Sequence, residues 1–270
     1  MHDNPTKAQL LRQIQWRDLV GMNAKDGVVE CLHPIPWLTA SLLLAHSDQY
    51  LLALPCTFMF FLTGLRLNHE AIHHNLGFGK NCHRAVLHGL SMIMLCSNHS
   101  VAWNHMQHHK HAGEPADLEG KAGRMRFWQV LFYGPLFAFE THQNAWVYGG
   151  KAQRRLMLQD IALNFVVPAL AITLQSHALL YHLIIMIAAQ SMTAFFAVWI
   201  THHGCEDHGL IARTQRSRWV NFISYNMFFH FEHHTFPAVP VKRLGLLAKR
   251  LDAAFPDLIA RAGRVVPGTG

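Results

Sequence analysis

Four stretches of the chain gather histidine at spacings that suit metal chelation. His69, His73 and His74 lie in NHEAIHH, and His105, His108, His109 and His111 lie in NHMQHHKH. His202 and His203 follow in WITHHG, and His230, His233 and His234 in HFEHH. On a helix, residues three and four apart share a face, with Cβ atoms about 5–6 Å apart. HxxHH therefore projects three imidazoles from one narrow stripe, and HxxxH projects two. Such a stripe can chelate one ion or share its ligands between two neighbouring ions. Neutral imidazole suits iron, zinc, copper and nickel.

Carboxylates accompany each cluster: Glu70, then Asp117 and Glu119, then Glu206 and Asp207, then Glu232. A direct ligand role is open to them. The preferred role is outside the metal, accepting a hydrogen bond from the distal ring nitrogen and so fixing its tautomer. The isolated histidines (His2, His33, His46, His83, His142, His177 and His208) read as surface or headgroup residues. His88, His99 and His182 read as polar core residues rather than ligands.

The elements that must position these clusters are membrane helices. Hydrophobic residues make up 51% of the 270 and charged residues 14%, against about 25% charged in an ordinary soluble domain. Four spans are expected, at 35–46, 50–67, 158–175 and 178–201, where about 20 apolar residues cross the hydrocarbon core. They form two hairpins whose tips, 46–49 and 176–177, carry no Lys or Arg. All 23 Lys and Arg residues then share one face with both termini and the long loop 68–157. The positive-inside rule makes that face cytoplasmic. The apolar run 85–102 leads into His105 and is expected as a re-entrant or interfacial helix. The run 219–229 leads likewise into His230. All four clusters thus emerge at similar depth on one side.

The rest of the sequence limits the alternatives. The +7 charge and pI near 9.4 suit anionic lipid, and no basic recognition module points to nucleic acid. The segments at 10–14 (Leu10, Leu11, Ile14) and 241–255 (Leu244, Leu247, Leu251, Phe255) are amphipathic and read as membrane-surface or docking helices. The five cysteines form no CxxC pair and read as reduced thiols. The chain reads as one domain, 1–270: an all-α integral membrane protein with interfacial helices and a cytosolic histidine-rich cap. A metal transporter would carry ionisable ligands within its spans; no histidine cluster lies in these.

The order HxxxH, HxxHH, HxxHH, interleaved with two hairpins, resembles the membrane-bound fatty-acid desaturase and hydroxylase superfamily. HFEHHTFPAVP is close to that family's third histidine box, HMQHHKHAGEPADLE resembles the second, and NHEAIHHNL the first. The resemblance implies a di-iron centre with ligands His69, His73, His105, His108, His109, His230, His233 and His234. His202 in VWITHHG best matches the family's remaining ligand, ahead of His203. Some acyl-CoA desaturases place an asparagine where Val198 stands, so an all-histidine site is expected. Glu70, His74, His111, Asp117 and Glu232 are expected around the ligands. The implied chemistry is O₂-dependent hydrogen abstraction from an unactivated C–H bond of a fatty-acyl or other lipophilic chain. Removal of a second hydrogen gives an alkene; delivery of a hydroxyl group gives an alcohol. No GxGxxG or fused haem segment is present, so a separate ferredoxin, rubredoxin or cytochrome is implied as electron donor. Phe60, Phe61, Phe195, Phe196 and Trp199 lie beneath the expected metal face, as cavity lining or as span packing. The compact length hints at a bacterial inner-membrane enzyme.

Overall fold

The computed structural model describes residues 5–112, 114, 116–205, 210–261 and 265. Glu206, Asp207, His2 and His208 lie outside the described residues. Helices α1 (Lys7–Gln13), α2 (Ala24–Leu32), α3 (Pro34–His46) and α4 (Tyr50–Ile72) open the fold. Next come α5 (Lys80–Met94), α6 (Asn98–His111), α7 (Leu118–Gly123) and α8 (Phe127–Tyr148). α9 (Lys151–Asn164) continues into α10 (Val166–Thr173), and α11 (His177–Ser191) passes through a π turn at Ala194–Trp199 into α12 (Ile200–His202). α13 (Arg218–Ile223), α14 (His230–Thr235), α15 (Val241–Ala254) and α16 (Pro256–Arg261) complete the order.

Among the described residues, three stretches are long and apolar enough to cross a bilayer: 24–46, 50–72 and 151–173, each of 23 residues. α11 and the segment Ala194–His202 make a fourth if that pair, bent by 42°, is one span. The first is longer than expected because α2 leads straight into α3. Pro34 occupies the first position of α3, where its missing N–H has no helical partner to lose.

The apolar run 85–102 is not one helix. It breaks at Leu95, whose φ is 56°. α5 runs inward to the middle of α11, and α6 returns to the histidine layer. Unpaired backbone groups at such depth cost several kcal/mol each, and here side chains meet them. His182 Nε2 donates to Ile93 O at 2.8 Å, and Gln190 Nε2 to Met94 O at 2.7 Å. Ser97 N donates to His142 Nε2 at 3.0 Å, Asn98 N to Ser91 Oγ at 2.9 Å and His99 N to Asp160 Oδ2 at 3.1 Å. His182 is thus the polar core residue expected, whereas His142 is no surface residue. Nor is His83, which is 1% exposed and accepts from Leu76 N at 3.2 Å.

The stretch 68–157, expected as a long loop, is largely helical. α8 alone spans 22 residues; Glu140, His142 and Gln143 dilute its apolar pattern. Its inner face packs Val130, Tyr133 and Phe137 against Ala194 and Val198. Gly134 permits the closest approach, since a Cβ there would lie 1.7 Å from Ser191 O. At the other side of the histidine layer, α1 and α15 dock on α14. Leu10 and Ile14 share a core with Phe231, Phe236, Leu244, Leu247 and Leu251. Each such large side chain contributes about 1.5–3 kcal/mol by burial. Lys7 Nζ adds a bond to His234 O at 2.7 Å.

Candidate metal centre

Each histidine-bearing segment is fixed by the fold before any ligand is considered. His69 sits in the last turn of α4 and His73 just beyond it. α6 carries His105, His108 and His109. The π turn, a feature frequent at functional sites, precedes His202 at the end of α12. α14 carries His230, His233 and His234, all buried.

Nine rings converge through their Nε2 atoms, in two groups. In the first, His69 meets His233 at 2.9 Å, His233 meets His109 at 2.9 Å, His109 meets His105 at 3.1 Å and His105 meets His73 at 3.1 Å. In the second, His202 meets His230 at 3.0 Å and His230 meets His234 at 3.1 Å. His108 joins this group, with a ligand atom within 4.8 Å of those of His202 and His234. The two HxxHH stripes divide in mirror fashion. His105 and His109 go to the first group while His108 goes to the second; His230 and His234 go to the second while His233 goes to the first. The groups touch where His109 and His234 stack, 4.4 Å between ring centres.

The proton positions follow from the opposite ring nitrogens. His108 Nδ1 faces Asp117 at 2.8 Å, and His105 Nδ1 faces Glu119 at 3.2 Å. His202 Nδ1 donates to Ile211 O at 2.8 Å. A ring that donates from Nδ1 presents a bare lone pair at Nε2. His105 Nε2 therefore faces its neighbours with a lone pair, and His108 Nε2 is buried with no hydrogen-bond partner. Burial, reinforced by neighbouring imidazoles, holds His73, His230, His233 and His234 well below the ordinary histidine pKa and His109 down to about 2. Burial pulls His108 down too, but Glu119 and Asp117 outweigh it and raise its pKa. Nitrogens about 2.1 Å from a common ion lie about 3 Å apart when adjacent. Neutral donors at that spacing fit transition-metal ions.

The other expected residues sort by contact. Glu70 Oε1 is 3.8 Å from His69 Nδ1, and its Oε2 accepts from Val241 N at 3.2 Å. Among the described residues Glu232 meets no ring: it accepts from Thr214 Oγ1 at 2.7 Å and Arg216 Nη2 at 2.6 Å. His74 turns away with φ of 57° and lies against His83. His111 pairs with Glu114 at the surface. His203 stacks on Trp199 and bonds Gly123 O, which leaves His202 as the histidine of that pair in the layer.

A cavity of about 650 Å³ runs from this layer to the α5–α6 break. His69, His105, His230 and Glu119 lie at its top, and Leu95 and Cys96 at its floor. From the start of α6 at Asn98 to His105 is seven residues, about 10 Å at helical rise. Among the described residues, no Lys or Arg lines it. Phe196 does line it, but Phe60 and Phe61 are buried in the packing of α4 on α5, and Phe195 and Trp199 pack beside α8.

The fatty acid desaturase family model matches residues 48–262. The chain belongs to the fatty acid desaturase family. No curated protein and no solved structure matches it. Membership and the apolar helices make this desaturase-family chain an integral membrane protein, and membership points to an oxidoreductase. A third group, His88, His99 and Asp160, stands apart from the histidine layer and was not legible in sequence.

Proposed function

We propose that the protein is an O₂-dependent di-iron desaturase of a fatty-acyl or other lipophilic chain. The observation that carries this reading is the set of nine converging Nε2 atoms, five and four, at the top of an apolar cavity. His69, His73, His105, His109 and His233 would hold one iron; His108, His202, His230 and His234 the other. Bound there, the pair would supply the oxidising power to remove hydrogen from an unactivated C–H bond. The chain's own residues bind, orient and exclude water. Phe58, Leu62, Val101 and Phe196 wall the cavity and favour a hydrocarbon over water. Asp117 and Glu119 hold the tautomers of His108 and His105, and α1 with α15 covers α14 from the far side. The histidine layer and both termini lie on the cytoplasmic face, by the distribution of Lys and Arg. Electrons come from a separate ferredoxin, rubredoxin or cytochrome with its reductase.

The test is product analysis under ¹⁸O₂ with iron-loaded protein, a reducing system and membrane lipid. The expected product is an alkene free of label. Label in the organic product would replace this reading with that of a hydroxylase or ketolase of the same family. Zinc or copper binding without oxygen consumption would leave only a metal-binding protein.

A further inference from the structure

Asp160 is fully buried in α9, within the stretch 151–173 that is apolar enough to cross a bilayer. An ionisable group in such a place marks a functional site unless something neutralises it cheaply. Among the described residues, its ion-pair partners are the imidazoles of His88 and His99, not Lys or Arg. His88 Nδ1 lies 2.6 Å from Asp160 Oδ1, and His99 Nδ1 lies 2.9 Å from Oδ2. Oδ2 is further held by Ser97 Oγ at 2.7 Å and by the backbone N–H of His99 at 3.1 Å.

Two features set this cluster apart from an ordinary buried carboxylate. The donors come from three helices, α5, α6 and α9, and their ligand atoms lie within 4.8 Å of one another. The two rings sit 4.4 Å apart, the same separation as His109 and His234 in the histidine layer. Second, both rings turn Nδ1 to the same buried carboxylate, and His99 is only 5% exposed. The carboxylate is oriented by a hydroxyl and an amide, as outer partners orient metal-binding carboxylates. Two imidazoles and one carboxylate form a donor set for first-row divalent ions.

The geometry points to a third, mononuclear metal site at His88, His99 and Asp160, distinct from the histidine layer, for an imidazole-seeking divalent ion of the zinc class. Such an ion offsets the Asp160 charge without a charged imidazole, leaving one positive charge for a further anionic ligand such as hydroxide. It also ties α5 and α9 to the N-terminus of α6, the helix that carries His105, His108 and His109. Protonation of one ring would neutralise Asp160 as well, and the experiment separates the two.

The full chain, stripped by chelator in detergent, is saturated with zinc and, separately, with cobalt(II), and bound metal is counted by mass spectrometry. The wild type is expected to hold one ion more than His88→Ala. His88 is half-buried at the bundle edge, so its removal leaves the histidine layer in place. In His230→Ala/His234→Ala, cobalt lost from the layer is expected to leave the absorption of the third site intact. The proposal is overturned if wild type and His88→Ala bind equal numbers, or if the wild type saturates at two ions. An empty histidine layer with one ion still lost in His88→Ala would defeat the desaturase reading and leave this one standing.

Discussion

At the scale of single residues, function rests on imidazoles kept neutral and aimed. Asp117 does the aiming for His108, 2.8 Å from its Nδ1, and leaves Nε2 turned to the layer. Asp117→Asn keeps an acceptor but loses the charge, and metal affinity of the four-histidine group is expected to weaken about 10–100-fold. Titration calorimetry with zinc or cobalt would show it; equal affinity would deny Asp117 that role. Acid stability follows from the same rings. Unfolded, each histidine titrates near pH 6.5. Folded, His73, His109, His230, His233 and His234 stay neutral to lower pH because burial and neighbouring imidazoles depress them. As pH falls below about 6.5 the unfolded chain takes up protons the folded chain refuses. Stability of the metal-free protein therefore drops, by about 1.4 kcal/mol per pH unit for each such group. His108 acts oppositely: its raised pKa contributes stability below about 6.5 that fades as pH rises. The depressed group outnumbers it. Thermal unfolding of metal-free protein is expected to come at lower temperature at pH 5.5 than at pH 7.5, and an unchanged midpoint would contradict the assignment.

At the scale of elements, α6 and α14 each supply both histidine groups. Their spacing was legible because i, i+3 and i+4 are local relations that a sequence displays. The division into five and four was not, because it depends on the angle at which the two helices face each other. Three apolar spans were legible from hydropathy, a fourth only as a pair bent by 42°, whereas α8 was hidden by Glu140, His142 and Gln143. The approach of α8 to α11 depends on Gly134, where a Cβ would meet Ser191 O at 1.7 Å. Gly134→Ala is expected to destabilise by about 1–3 kcal/mol or more, since the backbones must part. Gly89, inside α5, has nothing within 4 Å of its Cβ position. Gly89→Ala is expected to stabilise by about 0.4–1 kcal/mol. Opposite shifts in unfolding temperature would confirm the pair; a neutral Gly134→Ala would show that the contact yields. His88, His99 and Asp160 escaped detection because 61 and 72 residues separate the histidines from their carboxylate.

At the scale of the whole molecule, the bundle places an apolar cavity under a polar, metal-ready layer. The cavity ends at the α5–α6 break, where Cys96 is 6% exposed. Cys96→Phe is expected to fill the floor. Turnover of long chains would fall well below that of short ones, with iron content unchanged. Equal losses at all chain lengths would remove the floor from the specificity argument. The cavity's lining was poorly legible: Phe60 and Phe61 share the apolar character of Phe196 but face another helix. The most direct test of the central claim is an iron-edge anomalous difference map of iron-loaded protein. The account predicts one peak among the Nε2 atoms of His69, His73, His105, His109 and His233, and a second among those of His108, His202, His230 and His234. A single peak in the histidine layer, or iron bound away from these nitrogens, would contradict it.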